Sequence, residues 1–241
     1  RIDRTPLPAL EPHEILFSKL REISRKDFKV EGKGSGRFGL ALEKALGIPA
    51  NSSKTPDFMG IELKTKVDKS LQTLFSRTPT RFILASDKND FFRQHHYRDE
   101  KRNRNALYTS FNSEGDSLGF KLRMRDQTVV VHRNGREVIE YDAIVLEKAL
   151  LSKHSRTAFL AINSSRKDGM EYASIRSIQY CEGPSIISFL KLIREGSIFL
   201  DFTMSEKPNG AVNDHGFLWR IRGVELPKLY ISHQEFDIGA V

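Results

Sequence analysis

Asp57, Glu62 and Lys64 lie in the stretch Pro56-Asp57-Phe58-Met59-Gly60-Ile61-Glu62-Leu63-Lys64. Two carboxylates and a lysine at this spacing can hold a divalent metal ion beside a scissile phosphate. If 61–65 forms a β-strand, alternation places Glu62 and Lys64 on one face and Ile61 and Leu63 on the other. The apolar pair then faces the core, and the charged pair sits side by side at an open edge. Asp57, five residues before Glu62, stands at the strand entrance and completes a two-carboxylate oxygen cage of the kind magnesium accepts. The bland alternative is a solvated amphipathic edge strand, because an Asp followed by Glu-x-Lys recurs by chance in charged chains.

The rest of the chain must supply a core and a partner for such a site. Its 241 residues suffice for one large domain or two small ones. Hydrophobic residues make up 39% and charged residues 29%, as in globular proteins with a packed core. No apolar run approaches the roughly 20 residues that span a bilayer, and no basic-then-apolar segment opens the chain. Cys181 is the one cysteine, so neither an internal disulfide nor a cysteine zinc cluster can form, and its expected place is the core. These features point to an intracellular, cytoplasmic protein without a membrane partner. Lys and Arg number 39 against 31 for Asp and Glu, a net charge of +8 that favours an anionic polymer as ligand. The excess concentrates in 93–104, 121–125 and 133–136, each of which could also be an ordinary solvated face.

Several elements are needed to position the motif. Apolar residues at Ile15, Leu16, Leu20 and Ile23 predict a helix over 12–25, and 38–46 reads as a second helix closed by Gly47, with Glu43 on it. The stretch 70–75 alternates as a strand neighbouring the first. Further strands are expected at 82–85, 118–124, 128–131, 138–141, 157–163, 198–203 and 216–221, with Asn134-Gly135 as a type I′ turn. Helices are expected at 143–151 and at 185–195, the latter ended by Gly196. The pattern is an α/β core with an antiparallel, β-rich extension. Pro-rich residues 1–12 read as a linker or the tail of a preceding domain in a larger parent protein. Gly32 to Gly36 lacks the Gly-Lys-Ser/Thr ending of a nucleotide-phosphate loop, which argues against ATP. His95-His96 has no third ligand at zinc spacing and reads as part of a basic, mobile loop. Trp219 is expected in the core.

Five blocks carry a family likeness: Gly39-Leu40-Ala41-Leu42-Glu43; Pro56-Asp57-Phe58; Ile61-Glu62-Leu63-Lys64-Thr65; Lys69-Ser70-Leu71-Gln72-Thr73-Leu74-Phe75; and Asn213-Asp214-His215-Gly216 followed by Arg220-Ile221. In this order they resemble the MvaI/BcnI family of type II restriction endonucleases, of the PD-(D/E)xK nuclease superfamily, from about Phe28 to Val241. The first three blocks also look like MutH, a mismatch-repair nicking endonuclease of related fold. The resemblance implies a mixed central sheet flanked by helices, with a β-rich DNA-recognition lobe. It further implies an enzyme that uses Mg2+ to hydrolyse phosphodiester bonds of double-stranded DNA at a short specific site, acting as a monomer. A MutH-like nickase and a non-catalytic DNA-binding module are the alternatives.

Carried onto this chain, the resemblance makes Asp57 and Glu62 the metal ligands. Lys64 becomes the residue that positions and activates the attacking water, and Glu43 a supporting catalytic carboxylate. That agrees with the taste of magnesium for oxygen ligands and with the compact charge of a lysine beside a phosphate in transition. Lys69, Ser70 and Thr73 become contacts to phosphates flanking the cut, with Lys54 and Lys66 as weaker candidates. Asp214, His215 and Arg220 become base readers, since Asp accepts from cytosine and His or Arg donates to guanine. A local Asx-type hydrogen bond at Asp214 is the plain alternative. Asn213 stands where some family members have histidine, a departure that bears on which sequence is recognised. The expected organisation is a nuclease domain over 13–241. Its catalytic lobe covers about 13–85 with parts of 143–203, and its recognition lobe about 86–142 and 204–241.

Overall fold

The computed structural model describes residues 10–34, 36–49, 56–66 and 71–238. The chain divides into two compact units, one of Arg1–Asp68, Arg156–Cys181 and His233–Val241, the other of Lys69–Ser155 and Glu182–Ser232. Among the described residues no helix is long and apolar enough to cross a membrane.

The first unit is built on a mixed sheet whose strands run in the order Phe28–Val30, Met170–Pro184, Arg156–Lys167, Glu62–Lys66, with Tyr230–Asp237 also pairing onto Met170–Pro184. Glu62–Lys66 lies parallel to Arg156–Lys167, with Glu62 opposite Thr157 and Lys64 opposite Phe159. Helix Pro12–Ser24 opens with a capping box between Glu11 and Glu14 and buries Leu16 and Leu20. Helix Arg37–Ala45 buries Phe38, Ala41 and Leu42. Leu16, Leu20 and Leu42 meet Ile61, Leu63, Ala158, Leu160, Ile175 and Ile178 in one core cluster, while Phe38 and Ala41 pack with Val30 and Ala173 in a second. Each fully buried leucine or isoleucine there stabilises the fold by about 1.5–3 kcal/mol relative to exposure. The alternation predicted for 61–65 therefore holds for Ile61 and Leu63.

The second unit carries two antiparallel sheets. One has the order Leu71–Ser76, Val212–Arg222, Ile198–Glu206, Arg104–Phe111, Tyr97–Asp99; the other Arg81–Phe82, Arg136–Asp142, Thr128–Arg133, Phe120–Arg125. Asn134 (φ 50°) and Gly135 (φ 83°) both take positive φ, as the type I′ turn requires. Phe91, Phe111, Phe120, Phe202 and Phe217 pack largely edge-to-face around the sheet, and Trp219 is fully buried against Tyr141 and Phe189. Helices Lys88–His95, Ala143–His154 and Ile186–Arg194 belong to this unit, the last capped by Ser185.

The mixed α/β architecture expected from sequence is present, with local corrections. The strand read at 70–75 is observed as Leu71–Ser76, but it does not neighbour Glu62–Lys66; it pairs with Val212–Arg222. Sequence alternation fixes that a segment is extended, whereas its partner is chosen by long-range packing. The basic stretch 93–104 is not a mobile loop either. His95 ends helix Lys88–His95, is buried, and packs edge-on against Phe91 and Phe120. Its Nδ1 lies 2.7 Å from the Arg133 guanidinium. Burial, then the charge of Arg133, lowers its pKa to about 4, so the ring is neutral at physiological pH. Cys181 is buried, as expected.

Candidate active site

Four residues singled out for chemistry belong to the first unit. Asp57 lies just before a tight turn in which Phe58 and Ile61 exchange backbone hydrogen bonds of 2.9 and 2.8 Å. Met59 (φ 46°) and Gly60 (φ 83°) occupy that turn with positive φ. Such a turn doubles the chain back, and the Asp57 carboxylate accepts a 2.9 Å hydrogen bond from the Leu63 amide. The aspartate is thereby anchored to the strand that carries Glu62 and Lys64. Lys64 Nζ stands 2.8 Å from Glu62 Oε1, so the two side chains share a face as alternation demands. Glu62–Lys66 is the last strand in its sheet order, but Glu62 itself is not open to solvent: it is 1% exposed, while the Lys64 side chain retains 27% exposure. A buried carboxylate must be compensated, and the adjacent ammonium supplies part of that compensation.

Glu43 reaches the same place from helix Arg37–Ala45. Its pKa is raised, chiefly by burial, then by the negative charges of Asp57 and Glu62, with Lys64 acting in the opposite direction. Glu43 is thus close enough to feel the charges of Asp57, Glu62 and Lys64. Among the described residues, no three His, Cys, Asp or Glu side chains are drawn tightly enough to enclose an ion unaided. The donor set is nonetheless one of hard oxygens, and a divalent cation held by two carboxylates and completed by waters would relieve the repulsion at Glu43. Gly39 is not required for close helix–strand approach: a Cβ there would meet Thr65 Oγ1 at 3.9 Å, an ordinary contact.

Thr73, Asp214, His215 and Arg220, expected to contact DNA, belong to the second unit. Lys54, Lys69 and Ser70 lie outside the described residues, as does the side chain of Lys66. Thr73 is half-buried on Leu71–Ser76, directly across from Arg220 on Val212–Arg222. The segment Asn213 to Gly216 is part of that strand, which begins before the 216–221 expected from sequence, and contains a bulge. Phe202 pairs with Phe217 and Met204 with Asp214, leaving Thr203 opposite both His215 and Gly216. The bulge depends on Gly216, whose φ is 100° and where a Cβ would fall 2.3 Å from Ser76 Oγ. It turns His215 outward and exposed.

Each of these polar groups already has an internal partner. Asp214 accepts the Gly216 amide at 2.7 Å, which realises the Asx-type local bond, and pairs with Lys88 Nζ at 3.1 Å. His215 Nε2 lies 2.8 Å from the Asn213 side-chain nitrogen. Arg220 donates to Asp201 Oδ2 at 2.8 Å and to the Leu71 carbonyl at 2.9 Å. Lys88 and Asp201 were not anticipated from sequence. A signal for Asp201 existed: it is a carboxylate in the middle of the apolar run Ile198-Phe199-Leu200-Asp201-Phe202, where burial without a cation would be costly. For Lys88, 126 residues away from Asp214, no local signal exists.

Comparison with known proteins bears on this geometry. The model of the MvaI/BcnI restriction endonuclease family matches residues 17–230. Among solved structures, a complex of restriction endonuclease MvaI with its cognate DNA substrate aligns with a TM-score of 0.78 at 21% identity, covering 95% of this chain and 100% of that one. Restriction endonuclease MvaI in the absence of DNA aligns with a TM-score of 0.57 at 21% identity, covering 95% and 99%. No curated protein sequence matched. The chain belongs to the MvaI/BcnI restriction endonuclease family, and it is a type II site-specific deoxyribonuclease with the fold of these structures.

Proposed function

We propose that this member of the MvaI/BcnI restriction endonuclease family is a magnesium-dependent enzyme that cuts double-stranded DNA at a short site, working as a monomer with one active centre per chain. The observation that carries the reading is the convergence of Glu43, Asp57, Glu62 and Lys64, which gathers oxygen donors and one ammonium on a strand, the turn that leads into it and a neighbouring helix. A solved MvaI structure with 21% identity holds cognate DNA, and duplex DNA is accordingly the substrate proposed for this chain.

In this reading Asp57 and Glu62 hold the divalent ion. When bound, the ion supplies positive charge to the phosphate and acidifies a water nearby. Lys64 stands beside the scissile phosphodiester, where its ammonium orients the attacking water and offsets negative charge growing on the phosphate oxygens. Water attacks phosphorus in line, and the opposite P–O bond breaks to leave one strand end bearing phosphate and the other hydroxyl. Glu43 stays within reach of the same water or ion and balances its position. Thr73, with Lys69 and Ser70 just before it, contacts backbone phosphates. Asp214, His215 and Arg220 read base edges by exchanging their internal partners for bases. Cutting is thereby assigned to the first compact unit and reading to the second.

The deciding experiment incubates the purified chain with unmethylated plasmid carrying many sequence contexts, with and without Mg2+, followed by run-off sequencing of the ends. Magnesium-dependent linear product with ends at one short sequence is expected. Open circles alone would favour a MutH-like nickase. Undiminished cleavage by Lys64→Ala would sink the mechanism.

A further inference from the structure

The basic stretch 93–104 is not used by the function above, yet Arg98 and Arg102 to Arg104 border a cavity of about 760 Å³ in the second unit. The cavity lies between the turn joining Tyr97–Asp99 to Arg104–Phe111 and the turn joining Ile198–Glu206 to Val212–Arg222. Arg98, Arg102, Arg104 and Lys207 line it, against the carboxylate of Glu206. Part of that carboxylate is already engaged, accepting from Asn105 Nδ2 at 2.7 Å. Arg102 reaches Asp99 at 3.3 Å and Arg98 donates to the Asn103 side chain, but both arginines remain exposed. Arg104 is held with its guanidinium 5.6 Å from the Tyr108 ring, and its Nε is buried without a hydrogen-bond partner among the described residues. Four cations against one carboxylate leave the lining with an excess of positive charge that favours an anionic ligand.

The identity of that anion follows from size and place. One phosphate would fill a small part of the space and be over-neutralised by four cations; successive phosphates of a polymer match both volume and charge. Asn213, next to Asp214, lines the same cavity, so it is continuous with the start of the bulged strand. We infer that this cleft grips the sugar–phosphate backbone of duplex DNA flanking the bases contacted by Val212–Arg222, adding affinity that is independent of sequence. The inference rests on the DNA-cleaving function proposed above.

The test is equilibrium binding of the full chain to a mixed-sequence duplex extending several turns, followed by fluorescence anisotropy without divalent metal over a range of salt. The variant Arg98→Gln/Arg102→Gln/Lys207→Gln alters exposed side chains only, and an unchanged melting curve verifies its fold. Its affinity should fall at least about tenfold, and its slope of log K against log salt should flatten by about 2–3, since each phosphate contact contributes roughly 0.9. The corresponding Arg98→Lys/Arg102→Lys variant should keep the wild-type slope. Equal slopes and affinities for wild type and the glutamine variant would overturn the inference. So would displacement of wild-type binding by millimolar inorganic phosphate at constant ionic strength, which would mark a small-anion site. If wild type bound no duplex at all, the proposed function would fail first, and the two failures are thereby distinguishable.

Discussion

The strand Glu62–Lys66 and the bulged strand Val212–Arg222 are both polar where the chain is otherwise apolar, yet they treat charge in opposite ways. Around the first, like charges are collected: burial, and then the charges of Asp57 and Glu62, raise the Glu43 pKa, with Lys64 as the cation that opposes this. On the second, charges are matched: Lys88 faces Asp214, and Asp201 faces Arg220. A site that gathers anions has binding energy in reserve for a cation. A site whose polar groups are mutually satisfied holds its side chains in fixed geometry, and a ligand must offer hydrogen bonds at least as good to displace them. The difference suits the roles proposed for the two strands.

The contrast can be broken most severely at Glu62. Glu62→Gln removes one of the proposed ligands while keeping shape, so single-turnover cleavage in Mg2+ should drop about 1,000-fold or more, the scale of losing a preorganised charge at a reacting centre. Duplex binding measured in parallel should survive. A loss of cleavage below tenfold would mean that the collected charges are not the cutting centre.

On the matched strand the largest effect should be on stability. Arg220→Ala leaves Asp201 buried without its cation, and thermal or urea unfolding should report a loss of about 3–5 kcal/mol. The double variant Arg220→Ala/Asp201→Ala should recover much of it; failure to recover would show that Arg220 acts through the Leu71 carbonyl instead. Next comes Gly216→Ala, where the new Cβ meets Ser76 Oγ and an L-residue is forced to φ 100°. A cost of about 1–3 kcal/mol is expected, with partial relief in Ser76→Gly/Gly216→Ala because the backbone strain stays.

The smallest effect sharpens the electrostatics of the first strand. A carboxyl whose folded pKa is raised stabilises the fold only while protonated. That contribution is fully present below the unfolded pKa near 4.5 and is lost as pH rises through the higher folded value. Metal-free Glu43→Gln should therefore gain stability relative to wild type at neutral pH, and the gain should vanish below about pH 4.5. Divalent metal should shrink the difference by stabilising wild type preferentially. A pH-independent difference would remove the case for a raised pKa at Glu43.

Much of this architecture was legible in the chain because it is written in local periodicity. Ile61 and Leu63 alternate with Glu62 and Lys64, Asn134-Gly135 can form a turn that most pairs cannot, and Leu16 and Leu20 recur at one helical turn. The hairpin Arg156–Lys167 with Met170–Pro184 was only half visible, since charged residues from Arg166 onward and through 170–176 dilute the apolar alternation that ends in Ile178, Tyr180 and Cys181. The strand Tyr230–Asp237 is largely exposed, and its apolar residues Tyr230, Ile231 and Phe236 do not alternate.

For the sites the division is similar. Sequence alone determined which residue types could hold a metal and act on a phosphate, and that Glu62 and Lys64 share a face, since these rest on side-chain chemistry and spacings of a few residues. Only the tertiary structure decided that Glu62 is buried, that Glu43 comes near Asp57 and Glu62 from a helix, that Leu71–Ser76 pairs with Val212–Arg222, and that Lys88 and Asp201 hold Asp214 and Arg220. Those facts depend on which distant segments pack together. That choice is made by the summed burial of many weak apolar contacts, which no short window of sequence contains.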